Sequence, residues 1–300
     1  MGRKTMNTVS EVFYDEPTAP VKQVPFWRRL ARRKASTVCI VIVLIIVVLA
    51  VLAPILPIAD PDEIRSSNRL VGPGEKGYLL GADELGRDVL SRLIWGARVS
   101  LMAGFGASIA ALIFGSAIGL VAGFYGKWID SILMRSTDVI LAFPSILLAI
   151  GVVAALGPGL NNAMIAVAIA GFPLYARVVR GSVLSVREST FVEAAHSIGV
   201  SNFRIMWRHI LPNILAPIIV ALSLDVGMKI VITSSLSFLG LGAQPPTADW
   251  GNMIASGKNY IRVSPHLVMM PGFAIFLIAL CLNVVGDQLR DVLDPRLKNT

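Results

Sequence analysis

FVEAAHSIGVSNFRIMWRHILPN, residues 191–213, is a polar, basic interruption between long apolar runs, and its reading decides the fold. Thr190 is expected to N-cap a short helix, with Glu193 three residues on completing a capping box. Phe191, Ala194, Ala195 and Ile198 fall on one face of that helix, and Gly199 is placed to end it in a left-handed turn. Ser201 is expected to cap a second piece that runs to Ile210 and stops at Pro212. A helix of about eight residues is only about 12 Å long and does not hold its shape alone in water. The segment needs a surface to dock on.

The apolar runs around it place the chain in a membrane. Of 300 residues, 55% are hydrophobic and 15% charged, and the mean hydropathy is +0.70. A soluble domain carries about 25% charged residues, so most of this chain faces lipid or other membrane helices. The net charge of +8 is therefore not a nucleic-acid footprint, and nucleic acid is not expected as a partner. Cys39 and Cys281 sit inside apolar runs and imply no disulfide framework; His196, His209 and His266 are too scattered for a metal site.

Six spans are expected. Residues 1–24 read as a polar, disordered tail within a cytoplasmic N-terminal segment, 1–35. The basic flank Arg28, Arg29, Arg32, Arg33 and Lys34 precedes the first span, 36–58, a retained anchor whose N-terminus lies in the cytoplasm. An extracytoplasmic loop, 59–97, follows, with an interfacial helix over Gly86–Gly96. Its Arg65, Arg69, Lys76, Arg87 and Arg92 run against the positive-inside rule, but the first helix usually sets orientation.

Residues 98–290 read as a five-helix core with the cytoplasmic loop 188–212 inside it. The second span, Val99–Phe124, carries Ala103, Ala107, Ala111, Gly115, Gly119 and Gly123 at every fourth position, a stripe that lets backbones approach closely. Leu120 is expected on an adjacent face where truncation does little. The third span, Ile132–Leu156, is expected to kink at Pro144, and the fourth, Ala163–Val179, to bend at Pro173 before the basic exit Arg177, Arg180 and Arg187. The fifth runs from Pro212 to Phe238 and the sixth starts near Leu267, leaving a cytoplasmic tail, 291–300.

Asp225 and Lys229 lie about 18 and 24 Å along the fifth span, near mid-membrane. Either charge alone costs about 2.5–3.5 kcal/mol there. At i, i+4 with the acid first, the two can meet and offset much of that cost. They are either a self-neutralised pair between helices or a polar patch on a translocation path.

Glu193-Ala194-Ala195, Gly199 and Ile210-Leu211-Pro212 resemble the EAA loop of bacterial ABC importer permeases. GADELGRDVLSRLIWGARVSL (81–101), LSFLGLG with the later PP and WG (236–251), and GDQLRDVLDPRL (286–297) resemble the dipeptide/oligopeptide/nickel branch, in particular its second, C-type subunit. Ala82 stands where that family usually has Thr, and Thr233-Ser234-Ser235 where an acid often precedes the LSFLG block.

The resemblance implies an all-α integral membrane protein of six transmembrane helices with the type I ABC importer permease fold, in the bacterial inner membrane, both termini cytoplasmic. It implies a heterodimer with a homologous permease, two cytoplasmic ATPases contacting the EAA-like loop, an extracytoplasmic binding protein, and surrounding lipid. Small peptides, glutathione or nickel are the substrates of that branch. No G-x-x-x-x-G-K-[ST] is present, so ATP and Mg are expected on the partner ATPases and no cofactor on this chain. An ion-driven transporter using Asp225 and Lys229 would need inverted repeats, which the sequence does not display. A membrane-embedded enzyme would need a nucleophile–base set or metal ligands within the spans, and no such constellation is legible.

Overall fold

A computed structural model describes residues 34–293. The tail 1–24, the basic flank Arg28–Arg33 and the C-terminal residues 294–300 lie outside them. Within the described residues the chain is helical, with no strand beyond an isolated bridge between Ala82 and Asp88.

The helices are α1 (Lys34–Leu52), α2 (Val89–Tyr125), α3 (Lys127–Leu141), α4 (Ser145–Leu156), α5 (Leu160–Val186), α6 (Thr190–Ser197), α7 (Asn202–Phe238), α8 (Trp250–Gly257) and α9 (His266–Leu293). Five of these, α1, α2, α5, α7 and α9, are long and apolar enough to cross a membrane; counting α3 with α4 as one broken span gives six.

Several sequence expectations change. The interfacial helix over Gly86–Gly96 is not separate, because α2 runs unbroken for 37 residues from Val89. At 1.5 Å per residue that is about 55 Å against a hydrocarbon thickness of about 30 Å, so α2 projects well beyond a bilayer. Asp88 caps it by accepting from the Ser91 N–H at 2.8 Å. Gly96 does not end the helix; a β-carbon there would lie 3.0 Å from the Trp250 ring.

Pro144 breaks the third span rather than kinking it. Its ψ of 126° is extended, and α3 and α4 meet at 91°. Pro173 stays inside α5 without ending it. Pro212 does not stop the piece begun at Ser201 either. Residues Ile205–Ile210 form a π-turn and Leu211–Ile214 a 3₁₀ turn, and the widened turn takes in the missing proline N–H as the helix continues into the fifth span. The last helix takes in the first residues of the tail expected over 291–300, since α9 continues to Leu293.

The small stripe of α2 lies against α5. A β-carbon at Gly115 would run into the Phe172 carbonyl and one at Gly119 into the Ala176 carbonyl, while at Gly123 it would sit 2.8 Å from the Val183 β-carbon. Ala103, Ala107 and Ala111 are buried on the same stripe. Leu120 is not on a free face: it is 7% exposed and packs with Val179 and Val183.

Ion pairs fasten both ends of the bundle. Arg180 of α5 holds Asp130 of α3 through two bonds of 2.5 and 2.6 Å, and Arg177 reaches Asp138 at 2.7 Å. Arg187 donates to the Gly123 carbonyl at 3.0 Å. At the opposite end the loop 57–88 is tied down by buried arginines. Arg87 meets Asp83 at 2.7 Å, while Arg92 meets Asp62 at 3.0 Å and donates to the Pro61 and Pro246 carbonyls. Arg65 pairs with Glu63 at 2.8 Å. Arg65, Arg87 and Arg92, which run against the positive-inside rule, are therefore each neutralised within the loop.

Candidate functional site

Two places in this frame carry the functional candidates. The first is the segment 187–214. Its short helix α6 starts after Ser189, whose hydroxyl donates to the Val186 carbonyl instead of capping. The capping box of Thr190 and Glu193 does not form, because Thr190 is already the first helical residue and Glu193 lies one position too far along. The end is as expected from the sequence: Gly199 has φ +78°, with Gly199 N–H donating to the His196 carbonyl at 3.0 Å and Val200 N–H to that of Ala195 at 3.1 Å. That pair of bonds is a Schellman motif.

α6 is docked by one narrow edge. Val192 and Ala195 are buried with Val183 and Ile205, and His196 stacks on Phe124 at 5.9 Å. The expected apolar face is therefore split. Ala195 goes inward, while Phe191, Ala194 and Ile198 (80% exposed) face out beside Glu193. Two turns cannot bury two edges against a single support. Ile210 is fully buried in the cluster with Leu120, Val179 and Val183, and Leu211 packs against it half-buried, so these two anchor the segment and leave α6 presented, while Pro212 is exposed.

The second place is the middle of α7. Asp225 (8% exposed) and Lys229 (5%) meet at 3.6 Å, and the Tyr175 hydroxyl of α5 donates to the other Asp225 oxygen at 2.9 Å. A β-carbon at Gly171 would occupy the space of the Lys229 ammonium, so this glycine makes the room into which the lysine folds. Asp225 also borders an open-sided cavity of 680 Å³ between α5, α7 and α9, whose other walls include Leu174, Val220, Met228 and Arg290. Sequence reasoning missed Tyr175 and Gly171. They lie four residues apart on α5, a spacing that could have marked them as facing a common partner.

A third constellation, also missed, holds the opposite end together. Asp249 caps α8 and accepts from the Ser100 hydroxyl at 2.8 Å, and the Trp250 indole donates to the Leu93 carbonyl at 2.9 Å. Burial pushes the Asp249 carboxyl up, partly offset by donors that include the Ser100 hydroxyl and the Asn252 N–H. The sequence signal was Asp249, an N-cap residue type directly before Trp250, in the stretch between the fifth and sixth spans.

Among the described residues no group of three or more His, Cys, Asp or Glu side chains is placed to hold a metal ion.

Residues 115–299 match the family described as binding-protein-dependent transport system inner membrane component. The chain belongs to this family. Residues 25–73 match the N-terminal transmembrane domain of oligopeptide transport permease C. The chain is 46% identical to the dipeptide transport system permease protein DppC of Alkalihalophilus pseudofirmus, over 95% of this chain and 93% of that one. It is 43% identical to the glutathione transport system permease protein GsiD of Pectobacterium atrosepticum, over 91% of each. The permease also shares its fold with the inward-facing MetNI methionine ABC transporter, at a TM-score of 0.54 and 16% identity, covering 68% of this chain and 96% of the other.

The permease is thus a transport subunit of an ABC importer with the type I fold, and not an enzyme. Nothing in the comparisons favours the ion-driven alternative.

Proposed function

We propose that this permease pairs with a homologous permease to form an inner-membrane path for di- and oligopeptides. A binding protein delivers the peptides from outside, and two cytoplasmic ATPases drive the cycle. The relatives that carry dipeptides and glutathione in their names support the substrate class, since both are small molecules with peptide bonds. ATP and Mg belong to the ATPases and no cofactor to this chain.

The observation that carries the coupling role is the presentation of α6. Its Val192–Ala195 edge is fixed to the bundle while Phe191, Ala194 and Ile198 stand free around Glu193. An apolar stripe on a rigidly mounted two-turn helix suits a cleft on a partner that must push and be pushed. In this reading Glu193 and Ala194 form the contact, Ala195 holds α6 to the bundle behind them, Gly199 sets the turn that ends α6, and Ile210, Leu211 and Pro212 transmit its movement into α7. The loop 188–212 and both termini are then cytoplasmic. The loop 59–97 and the segment 240–265 face outward. The stripe from Ala107 to Gly123 serves packing between α2 and α5, and Asp225 with Lys229 lies beside the path.

A cysteine placed at Ile198 tests this. In inverted vesicles it is expected to cross-link to an ATPase subunit, with reporter fusions after Ser189 reading inside and after Gly257 outside. Cross-linking only to lipid-phase neighbours, or an inside reading at Gly257, contradicts the assignment.

A further inference from the structure

We infer that Asp225 is the acceptor for the α-ammonium group of the transported peptide, in the cavity between α5, α7 and α9. The inference rests on the peptide reading above and adds the residue that selects for a free N-terminus.

The ion pair is neutral as a whole but faces two ways. Asp225 lines the 680 Å³ cavity, whereas Lys229 is not among its walls and folds into the space left by Gly171 on α5. A ligand in the cavity therefore meets the acid and not the base. The rest of the wall near Asp225 is apolar, with Leu174, Val220, Ala221, Leu224 and Met228, and the other charged group at the wall is Arg290. The volume lies within the range of small-molecule sites, and apolar walls with a few fixed polar groups are their usual make-up.

The carboxylate also has capacity to spare. It offers about four lone-pair sites. The Tyr175 hydroxyl takes one at 2.9 Å, and Lys229 stands at 3.6 Å, longer than the 2.7–2.9 Å of a charge-assisted bond. A third donor can be accepted without expelling either neighbour. A peptide α-amino group, with a pKa of about 7.7–8.0, is mostly charged at neutral pH. An extended dipeptide is about 7 Å long and fits the cavity with its side chains on the apolar wall. Leu224 and Met228 are flexible, so the site reads the ammonium and tolerates varied side chains.

The test uses the whole importer in nanodiscs, without binding protein, so that the permease alone does the selecting. Cys39→Ser and Cys281→Ser remove the native thiols, and Met228→Cys places a reporter on the cavity wall. Alanyl-alanine at millimolar concentration is expected to slow labelling of that cysteine about fivefold or more. Propionyl-alanine, which differs only in lacking the amino group, is expected to leave the rate unchanged. Adding Asp225→Asn with Lys229→Gln removes both charges together, so no buried charge is stranded, and protection by alanyl-alanine is expected to vanish at normal complex yield. Equal protection by both probes, undiminished protection in the neutral-pair variant, or no protection overturns the inference. ATP-driven alanyl-alanine uptake by the wild-type importer with its binding protein is read alongside. Uptake without protection removes the assignment of Asp225 alone; absence of both removes the peptide reading with it.

Discussion

Gly119→Leu is expected to abolish the assembled complex. α2 and α5 approach so closely at this point that a β-carbon would strike the Ala176 carbonyl and lie 2.9 Å from the Val179 β-carbon and 3.0 Å from the Arg180 nitrogen. Two of those three atoms are backbone, so no rotamer change relieves the contact. Overpacking in ordinary cores costs about 1–3 kcal/mol because side chains can move. Here whole helices must separate, and with them the Arg180–Asp130 bonds that hold α3. Complex yield after affinity purification is expected to fall at least tenfold. Ile113→Ala on the same helix changes a 61% exposed residue and serves as control, with near-normal yield expected. Leu120→Ala is not a control, since Leu120 is buried against Val179. Wild-type yield for Gly119→Leu would mean that the two helices do not touch along this stripe.

Gly199→Val is expected to leave the complex intact and uncouple it. Gly199 has φ +78°, and nothing lies within 4 Å of the place where its β-carbon would stand. The substitution therefore brings no clash, only the backbone cost of a left-handed β-branched residue, about 1–2 kcal/mol. α6 has eight residues and little stability of its own, and its Schellman turn sets the angle at which the next helical piece leaves. That cost is enough to unwind or reorient the presented stripe. Peptide uptake is expected to fall more than tenfold, with basal ATP hydrolysis retained and its stimulation by loaded binding protein lost. Full stimulation in the variant would show that the angle of α6 does not matter for coupling.

Much of this architecture was legible because membrane helices announce themselves by length and composition. The runs around Cys39, Leu120, Val167, Ile230 and Ile278 needed no tertiary information. The small stripe was legible too, since a period of four places Ala111, Gly115 and Gly119 on one side of any helix. Boundaries were harder. Gly96 resembles a helix end but is a contact glycine under Trp250, and that distinction lies in a residue 154 positions away. Pro144 and Pro212 present the same chemistry, yet one turns the chain by 91° and the other sits inside a continuous helix, because the residues before Pro212 widen into a π-turn.

The candidate site was half legible for a similar reason. The i, i+4 spacing brought Asp225 and Lys229 together on paper, and they do meet. Spacing along α7 could not reveal that the acid alone faces the cavity, because that depends on Gly171 and Tyr175 of another helix. Likewise the face of α6 was divided by its support. The pattern named Phe191, Ala194, Ala195 and Ile198 as one stripe, and docking against Val183 and Ile205 buried only Ala195 of the four.

The central claim is that transport through this permease is driven by ATP and by delivery from a binding protein. Proteoliposomes holding the purified importer, with binding protein and labelled alanyl-alanine outside and ATP either inside or omitted, test it most directly. Uptake that requires both ATP in the lumen and binding protein, and that is unmoved by collapsing proton and sodium gradients, is the predicted result. Uptake without ATP that follows an imposed ion gradient would contradict it.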